Sequence, residues 1–106
     1  MIDIIIVVWL HFFSDFILQT DKVAKNKSSS NSILLSHCTL YSIPMLWFGL
    51  EFAVLNGVAH FIVDYFTSRA TKQLYKDGET HWFFVVIGFD QAVHLTTLIL
   101  TLEWLT

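Results

Sequence analysis

An all-α membrane protein, a compact bundle of four transmembrane helices, is the fold class this sequence predicts, on three observations. Of its 106 residues 55% are hydrophobic and 14% charged, where water-soluble domains carry about 25% charged residues. Mean hydropathy is +0.60, and the apolar residues gather into four segments. All six Lys and Arg lie between those segments: Lys22, Lys25 and Lys27 in one connection, Arg69, Lys72 and Lys76 in another. One Pro, four Gly and one Cys exclude a collagen-like chain and a disulfide scaffold, and the apolar runs exclude disorder. A net charge of -3 without a broad basic face excludes a nucleic-acid partner. Residues 1–106 form a single domain.

The first helix is expected at about residues 2–19, where His11 is the one polar side chain between Ile4 and Phe13. With no basic leader and no small-residue cleavage site, it reads as a retained helix. The second, about 33–50, has no formal charge over 18 residues, enough to cross a hydrocarbon core of roughly 30 Å, and Pro44 is expected to kink it. The third, about 52–68, is the shortest, and the fourth spans about 82–105. These segments have almost no polar outer face, which points to lipid outside. Residues 20–32 and 69–81 are expected as polar loops. Their positive charge places them in the cytoplasm of a bacterial inner membrane, with both termini outside. Trp9, Trp47, Trp82 and Trp104 read as lipid-facing or interfacial anchors, and Cys38 as a buried apolar thiol.

Ionisable residues interrupt the apolar segments at one level. Counted inward from the cytoplasmic ends at 1.5 Å per residue, Asp15, His11, His37, Tyr41, Asp64, His60, Asp90 and His94 all lie roughly 6 to 18 Å deep. Three helices repeat one spacing: His11 with Asp15, His60 with Asp64, and Asp90 with His94. Residues four apart share a helix face, and an imidazole nitrogen beside a carboxylate oxygen makes a first-row metal site when bundle helices bring several such pairs inward. The expected ligands are His11, Asp15, His37, His60, Asp64, Asp90 and His94, holding one or two divalent ions, zinc first, with manganese or iron as alternatives. For any single pair a private His–Asp ion pair is the better explanation; three pairs with His37 at one depth favour a shared site.

The blocks HFFSDFILQT from His11, His37 with Tyr41, HFIVDY from His60 and DQAVHL from Asp90 together resemble the small integral-membrane proteins of bacteria and phages grouped as domain of unknown function 3307. The resemblance covers nearly the whole chain. It implies a compact helical membrane protein whose shared site includes the motif residues Gln19 and Gln91 beside the His and Asp, and it implies no reaction. A looser similarity is to membrane-bound metal-dependent hydrolases, which also place His and Asp on short hydrophobic helices.

The function expected is therefore a metal-dependent hydrolase acting on a lipid or lipid-linked ester, amide or phosphoester. A divalent ion lowers the pKa of bound water and polarises the scissile group. Among Asp15, Asp64 and Asp90, one carboxylate left off the metal serves as general base. Gln19, Tyr41 and Gln91 are expected to orient water or substrate, and Lys27, Arg69 and Lys72 to attract an anionic head group. The alternatives are a proton or metal-ion transport module, which would require a homo-oligomer, and a phage or host accessory protein that binds another membrane protein. Membrane lipids are partners in every case.

Overall fold

In the computed structural model, which describes residues 1–105, the chain is all-helical, without a strand among those residues. Helix α1 covers Ile2–Phe12 and runs into one wide π-turn, Phe13–Ile17. Short α2 spans Asp21–Asn26, α3 Asn31–Met45, α4 Leu50–Lys76 and α5 Thr80–Leu105. Helix α4 is central, packed along α3 on one side and α5 on the other, while α1 closes against α3 and α5.

The boundaries correct the expectations from sequence in four places. The first helix ends at Ile17, because the π-turn inserts an extra residue; the Leu18 amide donates back to the Phe13 carbonyl. The first polar connection is partly helical: the Thr20 hydroxyl accepts from the Val23 amide at 3.3 Å, satisfying a donor that opens α2, and Ser30 does the same for Ile33 at the start of α3. Pro44 falls in the last turn of α3, just before the chain tightens into a 3₁₀ turn at Leu46–Phe48. The missing amide thus removes a bond where the helix is ending anyway. The third helix is the longest at 27 residues, because Arg69, Ala70, Lys72, Gln73 and Leu74 are good helix formers and carry α4 through the expected loop. Gly78, at φ +73°, ends it in a Schellman turn, with Glu79 N–H donating to the Leu74 carbonyl and Gly78 N–H to Tyr75.

One helix among the described residues, Thr80–Leu105, is long and apolar enough to cross a membrane; four full-length spans are not what the elements provide. Helix α1 is 11 residues and α3 is 15, while the C-terminal third of α4 is charged. The outward surface is nonetheless greasy on every long helix: Trp9, Phe12 and Phe16, then Leu35 and Ile43, then Val58, Ile62 and Phe66, then Phe84 and Phe89 are exposed. The interior is split by height. At one level a buried cluster of Val7, Tyr41, Met45, Phe52, Ala53, Leu98 and Leu102 packs without a charge; below it lie His11, Asp15, His37, His60, Asp64, Asp90 and His94, each at most 8% exposed. Beyond the ionisable layer, Asn56 of α4 donates to the Thr101 hydroxyl of α5 at 2.9 Å, a polar tie in the apolar half that no local spacing announces.

Leu98 is fully buried in that apolar cluster. Leu98→Ala is expected to cost about 2–3 kcal/mol, from the lost packing and the cavity left behind. Reversible denaturation in mild detergent measures it, and a loss below about 0.5 kcal/mol would show that the cluster is loosely packed.

Candidate metal centre

The π-turn, α3, α4 and α5 each deliver side chains to one point. The π-turn widens the helix where Asp15 sits and turns Ser14 and Asp15 inward together below His11, a distortion common at functional sites. His37 comes from the second turn of α3, His60 and Asp64 from successive turns of α4, and Asp90 and His94 from α5.

Four of these residues converge. His37 Nε2 lies 3.1 Å from His60 Nε2, 3.2 Å from Asp15 Oδ1 and 3.5 Å from Asp64 Oδ2. His60 Nε2 lies 3.4 Å from Asp15 Oδ1 and 3.3 Å from Asp64 Oδ2. All ligand atoms of the four fall within 4.8 Å of one another. Five of the six separations among these atoms lie between 3.1 and 3.5 Å, and the sixth, between the two carboxylate oxygens, is within 4.8 Å; a regular tetrahedron with edges of about 3.3 Å has its centre about 2.0 Å from each corner, the length of a Zn–N or Zn–O bond. Two imidazoles and two carboxylates are also a donor set that zinc accepts.

A second group shares members with the first: Asp15, Asp90 and His94 also bring ligand atoms within 4.8 Å. His94 Nε2 is 3.1 Å from Asp90 Oδ1 and 3.3 Å from Asp64 Oδ1. Asp64 thus faces the first group with one oxygen and His94 with the other, as a carboxylate bridging two centres does.

The surroundings fix these groups in place. The His60 ring is sandwiched between Tyr41 and His94, with centroids 4.0 and 3.9 Å away and planes 22° and 21° apart. Gln91 donates through its amide nitrogen to Asp15 Oδ2 at 3.2 Å and Asp90 Oδ2 at 3.0 Å, leaving its oxygen to accept from His11 Nε2–H at 2.7 Å. That assigns the His11 tautomer, so Nδ1 accepts from the Tyr41 hydroxyl at 2.9 Å. Thr67 donates to Asp90 Oδ1 at 2.5 Å.

Not every residue singled out by the sequence joins the ligand groups. His11 lies beside them, 3.9 Å from Asp15 Oδ2, with both ring nitrogens engaged by Gln91 and Tyr41. Tyr41 is part of the apolar core and stacks on His60. Arg69 is held away from the centre, donating to the Tyr65 carbonyl and Asn31 Oδ1 with its guanidinium 3.7 Å over the Tyr65 ring. Lys27 goes further in than expected: Nζ reaches Asp64 Oδ2 at 2.8 Å. Burial works to lower the pKa of this ammonium, but the Asp64 carboxylate, helped by Asp15 and Asp90, outweighs it and holds the group above the ordinary lysine value. Lys27 is therefore charged at neutral pH.

A cavity of about 650 Å³ opens against the centre. Asp15, Asp64, Asp90, Gln91 and Gln19 line its deep end; Lys25, Lys72 and Lys76 line it as well, with Phe16, Phe83 and Ile87 as apolar wall. Thr67, Ser68, Thr71 and Lys76 in that lining are missed from sequence: the stretch of Thr71 and Lys76 reads as a loop when only its polarity is considered, and hydroxyls such as Thr67 and Ser68 at the end of the expected third helix carry no ligand spacing.

No curated protein and no solved structure matches the chain. The family described as a protein of unknown function, DUF3307, matches residues 4–106, which takes in every residue of the centre. With nearly its whole length matched, the chain belongs to the DUF3307 family.

Proposed function

We propose that this protein is an integral-membrane metal-dependent hydrolase of the bacterial inner membrane, a four-helix bundle with its metal centre near the cytoplasmic face. It acts on a lipid or lipid-linked ester. The observation that carries this reading is the close convergence of Asp15, His37, His60 and Asp64 beside a cavity that reaches both carboxylates. The apolar outer surface and the confinement of all six positive charges to the end where the cavity lies support the membrane setting. The uncharged core above the centre favours a site approached from one side over a conduit.

In this reading His37, His60, Asp15 and Asp64 hold a divalent ion, zinc by donor set and spacing, and His94 holds Asp90 beside it, off the metal. The ion supplies a more acidic water and a positive charge for the oxyanion that develops. Asp90, which lines the cavity, takes the proton of the attacking water. Gln91 keeps Asp15 and Asp90 in register, and Gln19 orients water or substrate.

The test is elemental analysis of detergent-purified protein, followed by hydrolysis assays with ester, amide and phosphoester lipids. At least one zinc, manganese or iron per chain is expected, with activity lost to chelator and restored by the ion. A folded protein that holds no metal and takes up none would overturn the hydrolase and leave the layer as a proton relay or a structural device.

Lys27 supplies a sharper prediction. Its ammonium occupies the Asp64 oxygen that forms one corner of the tetrahedron, so it competes with a bound cation. Lys27→Met is expected to tighten zinc binding about tenfold, since removing one positive charge at such range relieves a repulsion of kcal/mol size. Competition against a fluorescent chelator reads the change; weaker binding would mean that Lys27 supports the ligands instead of opposing the ion.

A further inference from the structure

The cavity beside the centre carries a charge pattern that its role as a mere entrance does not require. Lys25, Lys72 and Lys76 line it with exposed ammonium groups, and Lys27 reaches its floor. The first three have no carboxylate partner among the described residues; Lys72 meets only the Ser29 hydroxyl. The carboxylates in the lining are Asp15, Asp64 and Asp90, which the centre itself engages. Once a divalent ion offsets them, the cavity holds an uncompensated cluster of positive charge.

Two further polar residues line the same space. Ser68, 8% exposed, lines the cavity, and its hydroxyl oxygen is buried without a hydrogen-bond partner. Gln19 lines it with a buried amide oxygen that is likewise unpartnered. A ring of ammonium groups fits an anion with several oxygens. Phe16, Phe83 and Ile87 make the remaining wall apolar, and the π-turn and α5 that supply them also expose Phe13, Phe84 and Phe89.

From this combination we propose that the cavity is a phosphate subsite and that the substrate is a phosphate monoester, its phosphoryl group seated between the lysines and the metal centre. The proposal rests on the hydrolase reading and narrows it. An ester head with two negative charges uses the whole cluster, where a neutral carboxyl ester or amide would leave four ammonium groups facing an uncharged ligand. The reaction is hydrolytic and needs only water. The water oxygen forms a bond to phosphorus, the phosphorus–oxygen bond to the alcohol breaks, and the departing alkoxide gains a proton. Alcohol and inorganic phosphate are the products.

The phosphate chemistry is shared by a lipid head group and a soluble ester, and the test separates them. Zinc-loaded protein in detergent is titrated with dioleoyl phosphatidic acid, dioleoylglycerol and glycerol 3-phosphate, with binding read by native mass spectrometry and thermal shift. Phosphatidic acid is expected to bind at least tenfold tighter than dioleoylglycerol, with Lys25→Gln plus Lys76→Gln lowering that affinity about tenfold while zinc content and unfolding temperature stay unchanged. Equal binding of glycerol 3-phosphate assigns the site to soluble phosphate esters; preference for phosphatidic acid assigns it to lipid. Equal binding of dioleoylglycerol, or indifference to the double substitution, overturns the phosphate subsite. Turnover is read separately as released inorganic phosphate. Zinc-dependent cleavage of a neutral ester lipid without phosphate release overturns this inference and leaves the hydrolase standing. Tight, lysine-dependent phosphate binding with no hydrolysis of any substrate keeps the subsite and overturns the hydrolase.

Discussion

Asp64→Asn is expected to strip the centre of metal while leaving the bundle folded. The side chain is nearly identical in shape, so packing against His37, His60 and His94 is kept, but the charge that balances a divalent ion is gone. Asp64 touches members of both ligand groups through two different oxygens: Oδ2 lies beside His37 and His60, and Oδ1 faces His94 at 3.3 Å. Removing even an outer partner of a metal ligand costs about 10–100-fold in affinity, so loss of a ligand that serves both groups is expected to exceed about 100-fold. Lys27 loses its counter-ion by the same change, but it is 15% exposed and borders the cavity, so its flexible stem can carry the ammonium out to water. Elemental analysis beside a thermal melt decides the matter. Wild-type metal content in the variant would remove Asp64 from the site, whereas collapse of the fold with no metal in the parent would make the layer structural.

Much of this centre is legible in the chain, and what is legible depends on helix geometry. A rise of 1.5 Å per residue converts the positions of His37, His60, Asp64, Asp90 and His94 into depths, and a four-residue spacing puts His60 with Asp64, and Asp90 with His94, on common faces. Both rules hold wherever the helix is regular, and α3, α4 and α5 are regular around these residues. The rules fail at the first segment, where the π-turn after Phe12 alters the phase between His11 and Asp15. Counting gives both residues an inward face, but not that Asp15 joins the ligands while His11 turns to Gln91 and Tyr41. Those partners lie 80 and 30 residues away, and no local spacing encodes them. Lys27 is a similar case. Its polar neighbourhood reads as a loop, and its contact with Asp64 depends on α2 folding back along α3. The length of α4 is readable in part, since Lys-Asp-Gly-Glu from Lys76 is a helix-ending sequence with glycine where φ must be positive. Weighting the polarity of residues 69–81 over their helix propensity is what hides it.

Gly57 links packing to the centre, and substitution there is expected to disable metal binding without touching a ligand. A β-carbon at Gly57 would collide with Ser42 Oγ and stand 3.4 Å from Ser42 Cβ and 3.8 Å from the Cys38 carbonyl oxygen. Gly57 lies on the interface between α3 and α4, and His37 adjoins Cys38 while His60 follows Gly57 by one turn. The 3.1 Å separation of the two Nε2 atoms therefore spans the same interface. Gly57→Ala has an escape: the Ser42 hydroxyl can rotate away, giving up its 2.9 Å bond to the Cys38 carbonyl, and the loss should be about 1 kcal/mol of stability. Gly57→Leu sets a branched side chain against the same Ser42, and overpacking of this kind costs about 1–3 kcal/mol or drives the helices apart. Metal centres tolerate misplacement of only about 0.5 Å. Parting α3 from α4 by about 1–2 Å, the bulk of one leucine branch, would open the His37–His60 edge and weaken zinc binding by about 100-fold. Gly88 of α5, where an added β-carbon would meet nothing within 4 Å, is the control: Gly88→Leu should bind zinc as the parent does. Zinc affinity by chelator competition, measured at matched folding, checks the pair. Parental affinity in a folded Gly57→Leu protein would show that His37 and His60 do not act on one ion across this interface.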